Sequence, residues 1–169
     1  SLNACLMPLY PSGDSLKFIS TEPETDSVVL VAMFNSFVLD FVFRQKATGG
    51  NASFYLIRQL PVLPRSNFFV ECPWDRRKSV YSWFSDRVVE LSFTSTDMAV
   101  LGNAAGPFVF NEDRRHVMTA ELDAAIFRLF NLDRPDMEYI LDSFPVFARA
   151  DTGRFGEYRT KRIILEIYD

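Results

Sequence analysis

Histidine occurs once in the 169 residues, at His116, and cysteine twice, at Cys5 and Cys72. A four-ligand zinc site built on these three needs a carboxylate to complete it, and two thiols make no disulfide framework, so the chain reads as cytosolic. A basic surplus is also missing: 18 Lys and Arg stand against 22 Asp and Glu, a net charge of −4. Free-standing nucleic-acid binders usually carry the opposite balance, because a basic surface draws in the phosphate backbone, so any DNA contact here has to come from a local patch. The most apolar run, residues 28–43, is shorter than the roughly 20 residues of a membrane span and holds Asn35, Ser36 and Asp40, which makes it a buried helix with no membrane partner. No charged-then-apolar leader opens the chain.

Nearly half the positions are apolar, enough for a domain that removes roughly two-thirds of its unfolded surface from water. The 17 Phe are mostly core by default, and only an exposed pair would carry functional meaning. Strand-like residues 3–7 and 15–19 flank the turn residues Pro11, Ser12, Gly13 and Asp14, the pattern of a hairpin with a long loop. The acidic stretch 20–26 then offers caps to one long helix running to about Lys46, which Gly49 and Gly50 stop. On it Ser36, Asp40 and Arg44 form a polar stripe opposite Leu30, Phe34, Phe37, Val38, Phe41 and Val42. The β-branched start at Val28, Val29 and Val31 also admits a strand.

From Ser53 to Gln59 the period is two, which predicts a strand that ends in the extended run 60–64. Beyond Arg65 the pattern turns helical. Asp75 is the candidate cap of a helix to about Ser92, and a short turn follows at 95–97. Asn111 caps a helix to Phe130 that Asn131 closes in the left-handed region, and Asp133 with Pro135 starts another to about Ser143. A last helix begins near Phe155 and pairs Glu157 with Lys161. The expected fold is α+β: a small sheet with a long apolar helix in residues 1–65, then a mainly helical lobe over residues 66–169. Both ends read as cuts within structured sequence.

Residues 41–70 contain Arg44, Lys46, Arg58 and Arg65 and no Asp or Glu, a local charge of +4. Interleaved with Asn51, Tyr55 and Gln59, they supply cations for phosphates and amides that can pair with adenine edges. The bland alternative is that the cations cap a helix and lie over apolar surface. A second cluster, Arg154, Arg159, Lys161 and Arg162, is diluted by Glu157 and Glu166 and reads as a solvated helix face or a contact with another part of a larger chain. Arg76, Arg77 and Lys78 read as an exposed helix start. His116 has no serine or cysteine arrangement that would make it a general base and reads as a surface residue. Glu121 and Asp123, or Asp133, Asp136 and Glu138, offer carboxylate pairs, but capping explains Asp133 and Asp136.

Two stretches resemble one family. Residues 35–46 with Gly49, Gly50 and residues 53–64 are similar to the closing segment of the target-recognition domain in large single-chain restriction-modification enzymes and, more loosely, in type I specificity subunits. Residues 120–125, 138–145 and 155–169 are similar to the extreme C-terminus of the same adenine-specific DNA methyltransferases. The resemblance implies a target-recognition segment that binds double-stranded DNA, and the acid-free stretch supplies Arg44, Lys46, Asn51, Arg58, Gln59 and Arg65 as its candidate contacts. It also implies missing N-terminal methyltransferase or nuclease domains as partners, with helical docking to them as the alternative role and self-association of the fragment where they are absent. The family's catalytic motifs are not found: neither an Asn-Pro-Pro-Tyr nor an Asp-Pro-Pro-Tyr run, nor a glycine-rich loop for S-adenosylmethionine. No cofactor is therefore expected in this fragment, and the pocket for an extruded adenine belongs to the missing part.

Overall fold

The apolar run after residue 26 does not continue as one helix. In a computed structural model, which describes residues 2–7, 17–23, 26–47, 52–101 and 107–169, it forms α1 (Asp26–Phe34) and α2 (Phe37–Lys46), bent by 67° at Asn35 and Ser36. The expected long apolar helix is thus corrected to two, and the cause lies in the polar residues that had been read as a stripe. Ser36 is buried, its hydroxyl donates to the Met33 carbonyl at 2.7 Å, and the same oxygen accepts from the Leu39 amide at 3.3 Å, so it ends one helix and caps the next. Among the described residues no single helix is long and apolar enough to cross a membrane.

The remaining helices are α3 (Phe54–Ile57), α4 (Val80–Ser92), α5 (Glu112–Leu129), α6 (Arg134–Asp142), α7 (Pro145–Phe155) and α8 (Arg159–Tyr168). Among the described residues one antiparallel hairpin, β1 (Glu71–Cys72) and β2 (Asp75–Ser79), joins these helices in a mixed, mostly helical α+β fold. α5 is the central element: α8, α4 and α2 all pack on it, while α1 lies on α4 and α6 lies on α2 and α8. From Ala120 to Phe127 it buries every residue but Glu121, a helix apolar nearly all round because it has neighbours nearly all round. Phe68, Phe84, Trp83 and Trp74 continue this core as a chain of edge-to-face rings 5.3–5.6 Å apart, the packing that ring quadrupoles favour.

The sheet lies elsewhere than expected. Residues 3–7 and 17–19 form no strand, and their intended turn falls outside the described residues. Residues 2–4 are held by side chains instead: the Asn35 amide accepts from the Ala4 N–H at 2.9 Å and donates to its carbonyl at 2.8 Å, while Asp40 accepts from the Leu2 N–H at 2.8 Å. The predicted strand at 53–59 is the one-turn α3, because Ser53 caps it and no strand pairs with it. Asp75 is in β2 and caps nothing; Ser79 caps α4, its hydroxyl accepting from Ser82 N at 3.1 Å.

Three boundaries agree with the sequence reading. Asn111 accepts from Arg114 N at 2.9 Å, Asp133 from Asp136 N at 3.0 Å, and Asn131 adopts φ 54° after α5. The C-terminal helix expected from Phe155 begins only at Arg159, after the separate α7, which Gly156 ends at φ 77°. Glu157 pairs with Arg162, and Lys161 with Asp142.

The corner between α1 and α2 is closed by Asp123 of α5, whose Oδ1 accepts from the Phe37 N–H at 2.9 Å. Burial pushes this carboxyl up to about 7, partly offset by that hydrogen bond. Raised in the folded state, it contributes stability that is present below the ordinary carboxylate range and is lost as pH rises through 7. Glu90, held low by Arg114, titrates below this window; His116, held low by burial, acts in the opposite sense up to its ordinary value. The difference between Asp123→Asn and wild type isolates the carboxyl. Urea midpoints at about pH 5 and pH 8 should show the variant gaining on wild type by about 2–4 kcal/mol across the interval; parallel curves would refute the assignment.

Candidate nucleic-acid interface

Of the cations predicted to meet DNA, two have acid partners and lie against aromatic rings. Arg44 lies along α2 against Asp40, with Nη2 to Oδ2 at 3.0 Å, and its guanidinium sits 4.2 Å from the Phe144 ring centroid. Arg65 meets Asp26 at 3.1 Å and covers Phe69 at 4.5 Å. It lines a cleft of about 340 Å³ together with Glu22 and Asp26, an acidic setting for a phosphate contact. The acids that partner Arg44 and Arg65 lie outside the acid-free stretch: Asp40 is a helical turn from Arg44, and Asp26 is brought to Arg65 by the fold.

Lys46 and Arg58 differ. Both are exposed, and among the described residues no acid pairs with either. Lys46 ends α2, where a cation complements the carbonyl end of the helix; Arg58 caps α3, which packs against α2. Gln59 is exposed too, its amide donating to the Tyr55 carbonyl at 3.1 Å. Asn51 lies outside the described residues. The sequence pattern puts Phe54 on one side of an alternating strand and Lys17 in the separate strand candidate 15–19. Phe54 is in fact exposed, and the Lys17 ammonium lies 5.9 Å from its ring centroid. No periodicity could have joined these two, because the contact spans 37 residues.

The second cluster is neutralised. Arg154 makes a two-pronged contact with Glu112 at 2.5 and 2.8 Å, Arg159 meets Asp113 at 3.2 Å, Lys161 meets Asp142 at 2.7 Å, and Arg162 bridges Glu157 and Glu166. The Arg154 guanidinium holds the Glu112 carboxyl below its ordinary range. These pairs tie α5 to α7 and α6 to α8. His116 is half-buried beside Phe155, its Nε2 shielded and without a hydrogen-bond partner, and burial lowers its pKa; it is not the surface residue expected. In the third basic run, Arg77 pairs with Asp75, Lys78 with Asp86, and Arg76 lies 4.0 Å from Glu71. Among the described residues no group of three or more His, Cys, Asp or Glu is placed to hold a metal ion.

No family model, curated protein or solved structure matches this chain.

The two kinds of arginine separate on substitution. Arg44→Ala uncovers the Phe144 ring and takes a partner from the buried Asp40, and should cost about 1 kcal/mol in chemical denaturation. Arg162→Ala removes exposed pairs and should leave the midpoint unmoved. Equal midpoints for the two variants would show that Arg44 is not a structural residue.

Proposed function

We propose that the chain is a DNA target-recognition segment of a larger, cytoplasmic adenine-specific DNA methyltransferase or restriction-modification enzyme. It contacts double-stranded DNA, while methyl transfer and S-adenosylmethionine belong to other domains of that enzyme. The observation that carries the reading is the exposure of Lys46 and Arg58 without acid partners, on neighbouring helices, in a protein where the other basic clusters are consumed by carboxylates. The resemblance of residues 35–46, 53–64, 120–125, 138–145 and 155–169 to such enzymes supports it. Lys46 and Arg58 bind phosphates in this reading, and Gln59 and Asn51 are the side chains offered to base edges. Arg65 is a secondary contact and Arg44 a structural one.

Phosphate contacts release condensed counterions, so affinity for a random-sequence duplex should fall linearly with salt on logarithmic axes. Lys46→Ala and Arg58→Ala should each lower that slope by about one unit, whereas Arg154→Ala and Arg162→Ala should leave it unchanged. Wild-type slope in both of the first two variants sinks the proposal.

A second reading, a docking module for the other domains or for a second copy, is favoured by α7. None of its residues is buried, Val146 is 71 % exposed, and Phe147 and Tyr139 of α6 are open nearby. Paired apolar positions such as these are costly to leave in water. Val146→Asp with Phe147→Asp should abolish concentration-dependent association in sedimentation if that face docks; unchanged association in the double variant excludes it.

A further inference from the structure

α3 is a single helical turn with no buried residue, yet it carries two aromatic side chains. Tyr55 is 77 % exposed and Phe54 46 %. An aromatic ring held in water on a short helix gains nothing for the core. Hydrogen bonds define α3 all the same: Ser53 caps its start at 3.3 Å, the Arg58 backbone N–H closes its end, and the Gln59 amide donates to the Tyr55 carbonyl.

The helical spacing decides what surrounds the rings. Arg58 stands three residues after Tyr55 and four after Phe54, and Gln59 stands four after Tyr55, so the cation and the amide flank the same face as the phenol ring. Lys17 comes in over Phe54 from another part of the chain, and Lys46 projects from the helix on which α3 rests. A protein partner with an apolar hot spot would not require this concentration of positive charge. A flat, electron-rich ring on a phosphate-bearing strand would use every part of it: stacking on Tyr55, an amide at its edge, and cations for its backbone.

We propose that Tyr55, with Phe54 beside it, is a base-stacking residue, and that this face of α3 receives an unpaired base of DNA. The inference rests on the DNA-binding reading of Lys46 and Arg58. An enzyme that extrudes an adenine leaves an orphaned partner base and two broken stacks, and an exposed ring flanked by cations is suited to occupy such a gap. The phenol hydroxyl is not needed for stacking; the ring is.

The test uses the 169-residue chain with a 20-nucleotide strand carrying one 2-aminopurine, single-stranded and fully paired, at about 50 mM salt. Wild type should bind the single strand more tightly than the duplex and quench the 2-aminopurine. Tyr55→Ala should weaken single-strand binding about 5- to 150-fold and abolish the quench, with the salt slope and duplex affinity unchanged. Tyr55→Phe and Tyr55→Trp should retain both properties, and circular dichroism melts check that each variant is folded. A Tyr55→Ala protein that binds and quenches like wild type overturns the inference while leaving the phosphate-contact proposal intact. So does a Tyr55→Ala protein that loses only self-association. Absence of any wild-type binding to either oligonucleotide overturns both.

Discussion

One hydrogen bond fixes where everything else goes: a buried aspartate on the central helix accepts the first free amide of α2. A helix start leaves its leading N–H groups without partners, and burying them uncapped costs free energy at each one. Ser36 satisfies one and Asp123 another, from 86 residues away in sequence. That contact makes a 67° corner tolerable inside a core, and the corner sets α1 on α4 while α2 lies against α5 and α6. It also orders the start of the described chain, since Asn35 and Asp40 can hold residues 2–4 only from a bend.

The electrostatics of the outer surface follow from the same packing. With α5 sheathed by neighbours, its exposed N-terminal turn presents Glu112 and Asp113 to α7 and α8, whose arginines meet them. Each of these exposed pairs adds little to stability on its own. Their collective effect is to offset the charge of the C-terminal basic cluster, whereas Lys46 of α2 and Arg58 at the end of α3 have no acid partner among the described residues.

Much of the helical part was legible in the sequence because capping is local. Asn111, Asp133 and Asn131 act within three residues of themselves, and the reading placed all three. The errors share one origin. Ser36 and Asp40 read as a polar stripe, although packing buries both, and Asp40 takes the Leu2 N–H from 38 residues away. The alternation of 53–59 suggested a strand, which needs a second strand to exist, whereas a helical turn needs only Ser53. The hairpin went unread because β2, Asp-Arg-Arg-Lys-Ser, has no β-branched or aromatic residue; β1 and the following helix hold it in place, with Val80 N–H bonded to the Val70 carbonyl at 3.0 Å. For the candidate interface, the sequence overcounted the free charge of the stretch: Asp26 and Asp40 lie outside the window that made it look acid-free, and the fold returns them to Arg65 and Arg44.

The buried Asp123 also alters how the molecule behaves in an electric field. A charge of −4 counts every carboxyl as ionised, but a group pushed to about 7 stays protonated in mildly acidic buffer as long as the chain is folded. Folded and urea-unfolded protein therefore differ in charge as well as in size. At about pH 5.5 the native form carries one negative charge fewer from this residue than the unfolded chain does.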